Sequence, residues 1–187
     1  MIRVTLDTNF LYACEDHRSN SSIHSDILEL GHTSDVKLQI SAIMAAENQR
    51  PGNEISNFSE FLKRVNNAGM GHAEILKPMG MIGLAFVDYA LCVDEEMIET
   101  EEEIHRILFP KVPINAIDSN EAELKKWYNA KCDVQMMWCH LFYNGNIFVT
   151  RDKVFHKATK KPRLEGMGAG TILKPEEAWE FLKAEIG

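Results

Sequence analysis

The sequence lacks the features of a membrane protein and of a disulfide-stabilised secreted protein. Its longest apolar stretch, residues 79–87, is interrupted by glycines and is too short to cross a bilayer. Only four cysteines occur among the 187 residues, and their irregular spacing favours reduced thiols. The N-terminus shows neither the basic start nor the small-residue cleavage site of a secretory signal. We therefore expect a cytoplasmic protein with no membrane partner.

Positive charge is also scarce, which at first argues against a nucleic-acid partner. The chain has 20 Lys and Arg against 28 Asp and Glu, a net charge of −8. The distribution is uneven, however, because nine basic residues and only two acids lie between Lys125 and Arg163. That segment carries +7 and the remainder −15. A local basic patch of this kind can bind phosphates while the rest of the protein stays acidic, although a solvated surface is the simpler alternative.

Short apolar runs alternate with amphipathic stretches along most of the chain. The predicted strands are 2–6, 37–40, 146–150 and 171–173. The predicted helices are 22–31, 41 to about 50, 54–68, 118 to about 130, 132–143 and 175–185. This βα alternation predicts an α/β fold, a three-layer α/β/α sandwich with a central, mainly parallel sheet.

The middle of the chain, about residues 70–117, fits this alternation poorly. Residues 83–92 are apolar and are expected to be helical, and residues 94–103 hold seven acids in ten positions. We expect this region to be a helical elaboration within a single domain spanning 1–187, because no linker or repeat divides the sequence. The acidic run is either a solvated helix face or a surface for a basic partner.

Four acids occupy positions where a metal centre would need them. Asp7 and Asp152 each follow an apolar strand, whereas Glu47 and Asp133 fall in predicted helices. A charged group at the end of a buried strand is costly to leave unpaired. The carboxyl ends of parallel strands meet at one edge of a sheet, so the four side chains are expected to converge there around a cation. An all-carboxylate set favours Mg²⁺ or Mn²⁺ over Zn²⁺.

The order of these residues resembles the PIN domain family of metal-dependent ribonucleases, which includes the toxins of many bacterial toxin–antitoxin pairs. The resemblance covers residues 1–50 and 118–157. It is carried by Asp7-Thr8-Asn9 after the first strand, Glu47 in a helix, Asp133 opening a late helix, and Thr150-Arg151-Asp152-Lys153-Val154-Phe155 after the next strand.

The resemblance implies hydrolysis of RNA, expected to be single-stranded, with 5′-phosphate and 3′-hydroxyl products. It assigns the metal-binding and catalytic roles to Asp7, Glu47, Asp133 and Asp152 and implies Mg²⁺ or Mn²⁺ as the cofactor. The supporting residues around these acids would be Thr8, Asn9 and Thr150. The residues contacting phosphates would be Arg151, Lys153 and Lys157. An antitoxin-type protein partner and a homodimer are further expectations from the family.

Two other functions remain open from the sequence. An aspartyl-type phosphatase on a similar sheet would use Asp7 as its nucleophile, but such enzymes need a second carboxylate two residues later, where this chain has Asn9. A non-catalytic PIN-like module for RNA binding or assembly is the other alternative. Each acid also has an ordinary structural explanation: Asp7 as a turn residue, Asp133 as the N-cap or first-turn acid of its helix, Glu47 as an exposed helix residue, and Asp152 as a loop acid paired with Arg151 or Lys153.

Overall fold

A computed structural model of the chain describes residues 1–16, 21–47, 55, 57–81, 83–115 and 120–186. In these ranges five strands form the sheet: β1 (Ile2–Leu6), β2 (Val36–Ser41), β3 (Glu74–Leu76), β4 (Ile147–Val149) and β5 (Thr171–Leu173). The α-helices in the same ranges are α1 (Thr8–Glu15), α2 (Ser21–Leu30), α3 (Phe58–Asn67), α4 (Glu95–Leu108), α5 (Glu121–Phe142), α6 (Lys161–Gly166) and α7 (Pro175–Ile186). None of these helices is long and apolar enough to span a membrane.

The sheet has the order β3-β2-β1-β4-β5, and every neighbouring pair of strands is parallel. Val4 in β1 lies opposite Leu38 on one side and Ile147 on the other. Helices α1, α2 and α7 pack together as one group, and α4 packs against α5 as another. All three residues of β4 are buried, as expected for a parallel strand covered on both faces. The predicted α/β sandwich with a central parallel sheet is therefore confirmed.

The strand order reverses beside β1, and this reversal determines where a ligand can bind. The chain leaves β1 toward β2 and β3, then crosses to the opposite side of β1 to form β4 and β5. Helices that leave neighbouring strands in opposite directions open a crevice at the carboxyl ends of those strands. Asp7 follows β1 directly and Thr150 follows β4 directly, so both residues stand at this crevice.

Two helices predicted from the sequence are in fact one. The expected break near residue 131 is wrong, because α5 runs without interruption from Glu121 to Phe142. Its N-cap is Asn120, whose Oδ1 accepts from Glu123 N while the Glu123 side chain accepts from the Asn120 N–H. The predicted cap at residues 118–119 lies outside the described residues. Asp133 therefore lies in the middle of a long helix and does not open one.

Three further boundaries differ from the predictions. The helix expected over 83–92 is wrong, because only the 3-10 turn Val87–Tyr89 forms there and Leu91 pairs with Met79 in an isolated bridge. The helix expected from residue 54 begins at Phe58, after the N-cap Asn57. Ser41 caps the next element as predicted, but that element is the 3-10 turn Ala42–Ala45. Glu47 consequently lies just beyond a 3-10 turn instead of inside a helix, and residues 48–50 lie outside the described residues.

Candidate metal and nucleic-acid site

Asp7 joins the ends of the two central strands. It is the N-cap of α1 and is only 3% exposed. Its Oδ1 accepts a hydrogen bond from Thr8 N at 2.8 Å. Its Oδ2 accepts from Asn9 Nδ2 at 3.1 Å and from Thr150 Oγ1 at 2.6 Å. The last of these bonds crosses from β1 to β4, so Asp7 fixes the geometry of the crevice between them.

Glu47 reaches the same place from the turn after β2. It is 8% exposed, and its Oε2 accepts a hydrogen bond from Thr8 Oγ1 at 2.5 Å. Its backbone carbonyl accepts from the Tyr12 hydroxyl at 2.8 Å. Two residues of α1, Thr8 and Tyr12, therefore hold both ends of Glu47. Helix α1 therefore contacts both Asp7 and Glu47.

Asp152 is positioned by a turn that follows β4. Thr150 Oγ1 accepts from Asp152 N at 2.9 Å while donating to Asp7, so one hydroxyl connects the two acids. The Asp152 Oδ1 accepts from Val154 N at 2.7 Å, which closes the turn. Thr8, Asn9 and Thr150 each contact at least one of the acids, and their supporting role at the site stays a prediction.

Asp133 approaches from α5 and completes the group of four carboxylates. Its pKa lies well above its ordinary value, first because of burial and then because of the negative charges of Glu47, Asp7 and Asp152. The ammonium group of Lys160 partly offsets this effect. Side chains that shift one another's pKa in this way are within electrostatic range. Asp133 therefore lies within electrostatic range of the other three acids, although the four come from different segments of the chain.

The same repulsion affects the other buried acids. Burial is the largest cause that raises the pKa of Glu47 to about 8, followed by the charge of Asp7. Burial also raises the pKa of Asp7, and the charge of Asp152 adds to it, while the hydrogen bonds from Thr150 and the Thr8 N–H act in the opposite direction. Acids that are difficult to ionise for this reason are stabilised in their charged form by a bound cation.

The donor chemistry of this group fits a hard divalent cation, because all four side chains offer carboxylate oxygen. In the described residues, however, no three His, Cys, Asp or Glu side chains already stand in an arrangement that could hold a metal ion. Several of the carboxylate oxygens instead accept hydrogen bonds from Thr8, Thr150 and Val154. The metal-binding and catalytic roles of the four acids stay predictions.

The basic residues expected at phosphates lie in different environments. Arg151 forms an ion pair with Glu176, so its guanidinium is already partly compensated. Lys153 is exposed and lines a cleft beside Asp152. Lys157 is exposed, and its charge helps burial to lower the pKa of the neighbouring Lys160. Their contact with phosphate stays a prediction.

Two residues at the site were not singled out from the sequence. Lys160 donates to the carbonyl of Leu108 at the end of α4, and its Nζ lies 5.5 Å from the ring centroid of Phe109. Tyr12 lines the cleft beside Asp152. Only one sequence signal pointed to Tyr12: it stands four residues after Thr8, which places both on one face of a helix. Because α1 itself was not predicted, that signal was missed.

The comparisons with known proteins do not place this chain in a family. No family model matches the sequence, and no curated protein matches it. Among solved structures, the chain is similar to VapBC2 from Rickettsia felis, which was solved bound to a DNA fragment from its promoter. The sequences are 14% identical, the match covers 92% of this chain and 98% of that chain, and the TM-score is 0.49. At this level of similarity, the function of this chain has to be judged from its own residues.

Proposed function

We propose that this chain is a metal-dependent ribonuclease of the PIN type. The observation that carries the proposal is that Thr8 and Thr150 link Asp7, Glu47 and Asp152 by hydrogen bonds at the ends of β1 and β4, and that the charges of these three acids all raise the pKa of Asp133. Structural acids are normally dispersed or paired with bases, because grouping them in a buried place costs free energy. A functional site is the simplest reason to retain such an arrangement.

Each acid has a defined part in this proposal. Asp7 and Asp152 would bind Mg²⁺ or Mn²⁺ from the strand ends, with Asp133 from α5 and Glu47 from the turn after β2. The cation, when bound, would supply an activated water and neutralise charge on the phosphodiester. Thr150 orients Asp7 and Asp152 together, and Thr8 orients Asp7 and Glu47 together. These two threonines therefore keep the carboxylates from turning away when the charges repel.

The alternative of an aspartyl phosphatase receives less support from the contacts of Asp7. A nucleophilic carboxylate needs an oxygen directed at phosphorus, whereas both oxygens of Asp7 accept hydrogen bonds from neighbouring residues. Asn9, which stands at the position of the second carboxylate in such enzymes, donates to Asp7. The antitoxin-type partner and the homodimer stay predictions from the family resemblance.

The direct test is cation-dependent cleavage of single-stranded RNA by the wild type and by Asp133→Asn. Asp133 is the best choice, because replacing Asp7 would also disturb the hydrogen bonds that its carboxylate accepts from Asn9 and Thr150. We expect a loss of at least about 100-fold in cleavage rate, since ligand loss should exceed the effect of losing a supporting residue. Asp88→Asn, an exposed acid in the 3-10 turn Val87–Tyr89, is the matched control. Equal rates for Asp133→Asn and the control would refute the assignment.

A further inference from the structure

A cleft of about 520 Å³ adjoins the group of acids and shares residues with it. Asn9 and Asp152 form the wall nearest the other acids, and the remainder is lined by Tyr12, Ala13, Asp16, Arg151 and Lys153. The volume lies within the usual range for a pocket that holds a small organic group. An oligonucleotide with a phosphate beside Asp152 would therefore have one of its neighbouring nucleotides within reach of this cleft.

The Tyr12 ring in this cleft is held on two sides. Its hydroxyl donates to the carbonyl of Glu47 at 2.8 Å. The guanidinium carbon of Arg64 lies 5.2 Å from its ring centroid, and Arg64 is in turn fixed by hydrogen bonds to both carboxylate oxygens of Glu15. An aromatic ring that is already immobilised loses little conformational entropy when a ligand packs on it. Tyr12 is therefore a preorganised flat surface beside the acids.

The charges around the ring complement a nucleotide. Arg151 and Lys153 are exposed on either side of Asp152 in the sequence, and both line the same cleft. A nucleotide presents an apolar, planar base next to an anionic phosphate. The cleft offers an aromatic side chain, the exposed ammonium of Lys153 and the guanidinium of Arg151, which is paired with Glu176, beside the acids Asp16 and Asp152. An aromatic ring next to cationic side chains is the combination that single-strand-binding proteins use.

We propose that this cleft is a nucleobase subsite, in which Tyr12 stacks on the base of a nucleotide next to the phosphate that reacts. The inference rests on the proposed ribonuclease function and specifies its substrate. A base inside a duplex is covered on both faces, so the subsite selects unpaired nucleotides. Because every base has a π face, stacking on Tyr12 would tolerate any sequence. Tyr12 is a positioning residue in this account, and the chemistry stays with the acids.

Tyr12 also supports Glu47, and the test has to separate the two roles. Tyr12→Phe removes the hydrogen bond to the Glu47 carbonyl but keeps the ring, whereas Tyr12→Leu removes the ring. Tyr89 provides a matched control outside the cleft. Its hydroxyl donates to a backbone carbonyl, that of Ile75, at 2.9 Å, and a cation, Lys77 Nζ, lies 5.1 Å from its ring centroid. Tyr89→Leu therefore loses the same kinds of contact without touching the subsite.

The probes are a fluorescein-labelled oligouridylate of about 12 nucleotides and an oligomer of equal length and charge that carries no bases. Binding is measured by fluorescence anisotropy with Mg²⁺ in the Asp133→Asn background, where turnover is blocked. We expect Tyr12→Leu to weaken binding of the base-bearing oligomer by about five- to 150-fold, with no change for the abasic one. Tyr89→Leu should bind both oligomers as the parent does, and Tyr12→Phe should keep the preference for the base-bearing oligomer that Tyr12→Leu loses.

Two results would overturn the inference. Tyr12→Leu could weaken the binding of both oligomers equally, which would show a general structural role, or it could weaken the binding of neither. Cleavage of the oligouridylate by the otherwise wild-type protein is measured in parallel. If that cleavage persists while Tyr12→Leu has no base-dependent effect, the subsite is wrong and the ribonuclease proposal stands. If the protein neither binds nor cleaves either oligomer, both proposals are wrong.

Discussion

Replacing Glu47 with glutamine should change how the stability of the cation-free protein depends on pH. Burial and the charge of Asp7 raise the pKa of Glu47 from 4.5 to about 8 in the folded protein. The folded state therefore holds this proton over a pH range in which the unfolded chain has lost it. The stabilisation from Glu47 is complete below pH 4.5 and is lost as the pH rises through about 8.

The size of the effect follows from the shift. Each pKa unit corresponds to about 1.4 kcal/mol, so between about pH 6 and about pH 9 the wild type should lose about 3 kcal/mol of unfolding free energy through Glu47. Glu47→Gln has no titrating group at this position and should lack that slope. The substitution also removes the repulsion of Glu47 on Asp7 and Asp133, since the charge of Glu47 raises the pKa of Asp133. The unfolding free energy of Glu47→Gln should therefore depend still less on pH.

The assay is urea unfolding in EDTA at several pH values for the wild type, Glu47→Gln and the exposed-acid control Glu103→Gln. The difference in unfolding free energy between the wild type and Glu47→Gln should change by about 3 kcal/mol across the range. Mg²⁺ or Mn²⁺ should restore the stability of the wild type at high pH but have less effect on Glu47→Gln. Parallel pH profiles for the wild type and Glu47→Gln would refute the reasoning, because burial would then impose no cost on the charge.

Two further predictions concern the packing around the site. Gly170 has φ +56° and an added Cβ would stand 2.1 Å from the Asn146 carbonyl oxygen, so Gly170→Ala should lose about 2 kcal/mol or more in urea unfolding. Gly166→Ala, where a Cβ meets nothing within 4 Å, should be near neutral. Glu101→Gln should cost about 3 kcal/mol, since it leaves the buried ammonium of Lys131 without a counter-charge, and adding Lys131→Met should recover most of the loss. If the losses of unfolding free energy from Glu101→Gln and Lys131→Met were fully additive, the role of this ion pair would be contradicted.

The strands with the strongest local signal were predictable from the sequence. Four of the five residues of β1 are apolar or β-branched, Arg3 being the exception, and its bounds Ile2–Leu6 agree with the prediction. β5 likewise agrees at Thr171–Leu173. Asp7 and Asp152 were then singled out by their position after an apolar strand. By contrast, β3 is only three residues long and lies beyond a Gly-containing turn, so no periodicity could identify it.

The missed features depend on contacts between distant parts of the chain. The predicted helix break near residue 131 is absent, and Lys131 there is buried, with its Nζ 2.7 Å from Glu101 Oε1, thirty residues away in the sequence. The short helix α1 was hidden because Asp7-Thr8-Asn9 is equally typical of a turn, and only the structure shows Asp7 acting as its cap. Strand topology predicted that Glu47 and Asp133 lie at the same edge of the sheet. The effect of the Glu47 charge on the pKa of Asp133 depends on how distant segments of the chain pack.

The acidic helix α4 contributes to the site as well as to the surface. Glu101, one of the seven acids in residues 94–103, pairs with Lys131, which stands two residues before Asp133 on α5. At the end of α4, the Leu108 carbonyl accepts from Lys160, whose positive charge offsets the effect of the other acids on Asp133. Helix α4, which lies in the region that fitted the sequence pattern least well, therefore holds α5 in place and positions the ammonium group of Lys160 near the carboxylates. Helix α4 is thus part of the structural support of the candidate site.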